Sequence, residues 1–243
     1  MTDLRKDADE FTIRLREALG ERLRSVVLHG SVARGESVPD VSDVNLMVLA
    51  DTVDPGLLRQ LAPLAREWLE AERALPLVLS WDEWQASRDA FAIETADMLD
   101  SREVLHGDDP LAGAVVDPAD LRLQAERELR GKLVHLREGT LFAADRPKEL
   151  GNLLVKALPA VATYLRTALR LADRPVPGTT PEAFRDGATL VGAEADALLE
   201  LWEDRRRGRP PRTDVEDRRT GAVYAVLERT VDYVDTLTGD QTR

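Results

Sequence analysis

Apolar residues recur along this chain in two rhythms, and the rhythm changes once. Near the start, Leu4, Ala8, Phe11, Leu15 and Leu19 fall three or four apart. That spacing puts them on one helix face and predicts an amphipathic helix over 3–22. Short unbroken apolar runs follow at 25–29, 44–50 and 75–79. Runs of this length, rich in Val and Leu, predict buried strands. Between the second and third, Asp54-Pro55 reads as an N-cap with proline at the first helical position. The helix it opens carries Leu58, Leu61, Ala62, Ala65 and Leu69. Ser80 and Glu83 have capping-box spacing, so a short helix should follow the third strand. Partial alternation over 91–98 predicts a fourth strand, and 100–106 a short helix or turn closing at Gly107.

After "HGDDPLAG" the helical rhythm takes over. Asp117-Pro118 caps a helix with Leu121, Ala125, Leu129, Leu133 and Leu136 on one face. A longer stripe runs from Leu150 to Leu169, with Pro159 inside it as an expected kink. Thr180-Pro181 caps another helix, 194–205 forms a further one, and Val223, Val226, Leu227, Val231, Val234 and Leu237 mark the last. Arg205, Arg206, Arg207, Arg209 and Arg212 fall in a proline-containing stretch that reads as a solvated loop. The expected architecture is an α/β domain over roughly 1–112 and a helical bundle over 117–243.

Composition narrows the field modestly. Of 243 residues, 43% are apolar and 32% charged, ordinary for a globular protein. The net charge of -12 disfavours nucleic acid and anionic membrane as partners and suits a cationic or metal-complexed one. There is no cysteine, which excludes disulfides, thiolate metal sites and cysteine nucleophiles. The polar first ten residues do not read as a secretory signal, and no apolar run approaches the roughly 20 residues of a membrane helix. A cytoplasmic location is expected.

The chemistry gathers in "VVLHGSVARGESVPDVSDVNLMVL", residues 26–49. A strand ending in Gly30-Ser31 and turning into a helix presents backbone N–H groups to a phosphate. Gly30 permits close backbone approach, and Ser31 adds a hydroxyl. Arg34, one turn on, is a candidate triphosphate contact. On the next strand Asp43 can hold a divalent cation. Asn45, two residues along and expected on the same face, offers a carbonyl oxygen without charge.

Glycine-serine, a loop and an Asp-x-Asp-like pair on an apolar strand resemble the nucleotidyltransferase superfamily. "FAIETADMLDSREVLHGDDPL" followed by "LRLQAERELRGKL" extends the resemblance to bacterial nucleotidyltransferase-domain proteins distantly similar to aminoglycoside adenylyltransferases. The resemblance implies a polymerase-β-like α/β core with a helical substrate-side domain. It also implies NTP (ATP) as donor, Mg²⁺, and a small hydroxyl-bearing acceptor entering between the domains. In that family three acids serve the metals. Here Asn45 replaces the second, and the third strand, "ALPLVLS", is apolar around Val78. Asp82 and Glu83 read as first-turn acids of a cap. Glu94, on the expected fourth strand, is the remaining candidate for a catalytic acid.

Two functions follow from this set. One is a nucleotidyltransferase with an incomplete acidic metal site. The other is a catalytically degenerate nucleotide-sensing or partner-binding module. Other features carry blander expectations. His29 reads as a packed strand end, and Trp81 and Trp84 as core or interface residues. Arg130 and His135 have the spacing of a ribonuclease motif, but lie some 140° apart around a helix at about 100° per residue. His135 therefore reads as a helix-face residue.

Overall fold

The computed structural model describes residues 3–37 and 42–237. The chain divides into two compact units, 1–116 and 117–243.

The first unit opens with α1 (Leu4–Leu19), capped by the Asp3 carboxylate on the N–H groups of Arg5 and Lys6. A single 3₁₀ turn leads into β1 (Leu23–His29), which turns at once into the short α2 (Gly30–Ala33). Then come β2 (Asn45–Ala50), α3 (Pro55–Glu70), β3 (Leu77–Ser80) and α4 (Trp81–Ala86). Both predicted caps form. Asp54 accepts from the Leu57 N–H with Pro55 in the first turn, and Ser80 and Glu83 close a reciprocal capping box.

The next segment corrects the expectation drawn from its sequence. Residues 91–98 do not make a strand: they belong to α5 (Ala92–Asp100). The fourth strand is β4 (Arg102–Gly107), where a short helix or turn was expected. Ala92, Ile93, Ala96 and Leu99 recur at helical spacing and three of them are buried. That period outweighs the partial alternation.

The sheet runs β3-β2-β1-β4. β1 is antiparallel to both β2 and β4, and β3 lies parallel to β2. Both faces of the central strands are covered, which explains their uninterrupted apolar runs. Val26, Leu28, Leu46 and Val48 join α1 and α3 in one core, where Phe11 stacks on Trp68 at 4.2 Å between ring centroids. Val27, Met47 and Leu49 join Trp84, Met98 and Leu111 in the other. The alternation of a strand thus divides neighbouring residues between two cores.

The second unit is helical: α6 (Pro118–Ala143), α7 (Pro147–Leu171), α8 (Thr180–Leu190), α9 (Asp196–Arg206) and α10 (Arg218–Thr236). α7 packs against each of the other four and is buried on most of its circumference. It continues as helix through Pro159. Asp117 caps α6, and a Thr179–Glu182 capping box opens α8, one residue earlier than expected. No helix among the described residues is long and apolar enough to cross a membrane.

Candidate functional site

The register of the sheet decides which residues meet at its functional end. His29, the last residue of β1, pairs with Asn45 at the start of β2 and with Arg102 at the start of β4. The chain leaves β1 at Gly30, whose φ of +75° lies in the left-handed region open to glycine. Two forces therefore fix glycine here: the backbone angle and the neighbour. A methyl group at Gly30 would come within 2.6 Å of the Asn45 amide nitrogen. The side chain of His29, the residue before the helix, makes no capping hydrogen bond to the first turn of α2. The glycine-serine turn is thus a tight strand-to-helix elbow whose first turn is not capped by the residue before it.

Asn45 and Asp43 do not share a strand. β2 begins at Asn45, and Asp43 precedes it in irregular backbone. The alternation that would point both side chains to one face does not extend to Asp43. Asn45 lies against Gly30. Asp43 is exposed and, with Ser42, lines a cavity of about 520 Å³ on the α1–α3 side, beside Asp7, Glu10 and Trp68.

Glu94 sits in the first turn of α5, not on a strand. It is half-buried. Asp97, one turn on, faces the same way, because residues three apart on a helix are neighbours. The Asp97 carboxylate receives a hydrogen bond of 3.0 Å from the Arg34 guanidinium. Glu36 stands 3.6 Å from the Arg34 Nε. The candidate phosphate contact Arg34 is therefore largely buried beside two carboxylates. Asp97 and Glu36 escaped the sequence reading. The signal was present in the helical period of 92–99, which puts Glu94 and Asp97 on one side.

His29 sits inside this group, and its pKa lies below the ordinary histidine value. Burial is the main cause. The Asp97 charge opposes it and the Arg34 charge adds to it. Arg102 ties β4 to its surroundings. It makes a two-pronged pair with Asp109 at 3.1 and 2.7 Å and donates to the carbonyls of Met98 and Leu99 at the end of α5. This pairing holds the Asp109 carboxyl below the usual range.

The third strand supplies no acid. Val78 packs toward the first core, and Leu77 and Leu79 toward the second. Glu83 is spent on its cap, accepting from the Ser80 N–H at 2.7 Å. Among the described residues no three His, Asp or Glu side chains gather so as to hold a metal ion. Trp84 is fully buried, while Trp81 lies under the Arg24 guanidinium. Arg130 pairs with Glu126 and Asp235. His135 lies exposed beside Glu138.

No family model matches the sequence, and no curated protein matches it. The fold does have a solved counterpart. The crystal structure of spectinomycin adenyltransferase AAD(9) from Enterococcus faecialis, with ATP and spectinomycin, superimposes with a TM-score of 0.62. The match covers 95% of this chain and 99% of that one, at 10% identity. The fold is that of a nucleotidyltransferase. At 10% identity the likeness speaks for the fold alone.

Proposed function

We infer that the protein binds a nucleoside triphosphate, ATP in the first instance, at the Gly30-Ser31 elbow. It then transfers the nucleotidyl group to a small hydroxyl-bearing acceptor. The observation that carries this is the elbow itself: a left-handed glycine at the end of β1, a first turn that His29 does not cap, and Asn45 closing on its flank. Gly30 and Ser31 cradle phosphate through backbone N–H groups and the Ser31 hydroxyl. Mg²⁺ would come with the nucleotide, and the exposed Asp43 would offer it a carboxylate and Asn45, beside Gly30, a neutral oxygen. In the transfer, the acceptor oxygen bonds to the α-phosphorus, the α–β bridging bond breaks and pyrophosphate leaves. Glu94 takes the acceptor proton. The net charge of -12 favours a cationic acceptor over nucleic acid. Spectinomycin and other amine-bearing polyols are the first to test.

A second reading has its own support. β3 is apolar and no three-acid cluster occurs among the described residues. One carboxylate 4 Å from a unit positive charge is worth about 4 kcal/mol at an effective dielectric near 20. Missing acids therefore weaken metal-dependent transfer more than nucleotide binding, and a nucleotide-sensing module is the alternative. One experiment separates the two. The full chain is incubated with α-labelled ATP, Mg²⁺ and a panel of amine-bearing polyols, beside calorimetric titration with ATP. Label transfer that vanishes in Asp43→Ala establishes the enzyme. Binding without transfer establishes the module, and neither binding nor transfer sinks both.

A further inference from the structure

We propose that Arg34 and Asp97 form a positioning pair that locks the phosphate elbow to helix α5, setting the Glu94 carboxylate against bound nucleotide. The proposal rests on the nucleotide-binding reading above. It departs from the expectation drawn from the sequence in giving Arg34 a partner inside the protein instead of a phosphate.

The geometry is specific. Arg34 ends α2, and its backbone N–H closes the turn on the Gly30 carbonyl at 3.1 Å. Its backbone is therefore part of the elbow. Its side chain reaches 63 residues along the chain to Asp97. Both side chains of the pair are largely buried, at 12% and 17% exposure. Burial makes an ion pair costly to break, because the surviving charge is left without a partner. It also excludes the solvent screening that makes surface pairs weak. Glu36 adds a second carboxylate beside the same guanidinium, and its own N–H returns to the Ser31 carbonyl at 2.9 Å. The elbow, Arg34 and Glu36 thus form one local unit that Asp97 links to α5.

Asp97 lies about one helical turn beyond Glu94, so anchoring Asp97 restrains the turn of α5 that carries Glu94. At the other end of α5, Arg102 donates to the Met98 and Leu99 carbonyls. The helix is held at its end by β4 and at its middle by the elbow. A general base must sit within hydrogen-bond reach of its proton, and a displacement near 1 Å can cost on the order of 100-fold in rate. The guanidinium is hydrogen-bonded to Asp97 through one terminal nitrogen, while its buried Nε has only the ionic neighbour Glu36 at 3.6 Å and no hydrogen-bond partner among the described residues. This arrangement suits a strut better than a ligand.

The test uses the full chain with three variants: Asp97→Asn, Arg34→Lys, and the double Arg34→Met/Asp97→Leu, which removes both buried charges together. ATP affinity is measured by calorimetry and label transfer at saturating ATP gives kcat. The expected result is a fall in kcat on the order of 10- to 100-fold in Asp97→Asn and in the double variant. ATP affinity should stay within about threefold of the parent, and Arg34→Lys should recover part of the loss. A drop in ATP affinity with unchanged kcat would make Arg34 a phosphate ligand and overturn the proposal. So would no change in either quantity, which would leave the pair merely structural.

Hydrogen exchange on the ligand-free protein provides a reading independent of activity. In Asp97→Asn the amides of 31–36 and of α5 should lose protection together. Loss confined to one segment overturns the strut. A parent protein that neither binds nor transfers ATP defeats the function proposed above, and the exchange result then judges the coupling by itself.

Discussion

Gly30→Ala perturbs the candidate site at its tightest point, and its cost separates into two parts. The first is backbone. At φ of +75° a β-carbon crowds the following carbonyl, at roughly 1–2 kcal/mol for a non-glycine residue. The second is the 2.6 Å approach of that carbon to the Asn45 amide nitrogen. Because this is the far end of a flexible side chain, the amide swings aside instead of forcing the strands apart. The stability loss should therefore stay near the backbone value, while Asn45 leaves the flank of the elbow. Denaturant-dependent hydrogen exchange at the β1 amides reports the first unit alone and should show a loss of about 1–2 kcal/mol. ATP affinity by calorimetry should fall about tenfold or more, since both the donor geometry and the neighbour move. Gly30→Ala in an Asn45→Ala background removes the steric part and should still cost about 1 kcal/mol. An alanine variant with parental exchange and parental ATP affinity would refute the reasoning outright. It would mean that the elbow needs neither the left-handed angle nor the close approach.

Two further expectations follow from the same group of residues. Asn45→Asp adds a carboxylate beside the elbow, and Mg²⁺-dependent ATP binding should tighten about tenfold or more, a fraction of the roughly 4 kcal/mol a close pair is worth at most. Titrations with and without Mg²⁺ check this, and equal affinity in both would remove Asn45 from the metal's surroundings. His29 has a folded pKa depressed below 6.5, mainly by burial. The unfolded chain therefore takes up the proton first as pH falls. Stability should be complete above about pH 6.5, decline below it, and reach its lower level once the folded pKa is passed. His29→Gln should flatten that decline in urea unfolding between pH 7.5 and 5. An unchanged slope would show that His29 is not the group responsible.

Local physics carried much of the fold from sequence alone. Period and caps made the elements of the first 90 residues and the helical second half legible. Helix entry depends on a few adjacent side chains, as Asp54, Ser80 with Glu83, and Asp117 illustrate. The same applies to Gly30-Ser31, because a strand-to-helix elbow is written in consecutive residues. Errors arose where two periods competed over a short run. Residues 91–98 alternate enough to suggest a strand, but the second core and the Arg34–Asp97 pair hold them as α5. Local sequence could not weigh these contacts.

The site divides along the same line. The sequence determined its ingredients: the glycine, the serine, the lone Asp43, the neutral Asn45 and the apolar third strand. Tertiary structure decided their arrangement. Only strand pairing brings His29 between Asn45 and Arg102, and only packing makes Arg34, expected as a phosphate contact, the partner of a carboxylate 63 residues away. The physical reason is range. Backbone angles, caps and periodicity are set by neighbours in the chain. The partner of a buried charge is set by whichever distant segment the fold delivers to it, and a buried charge without one is too costly to keep.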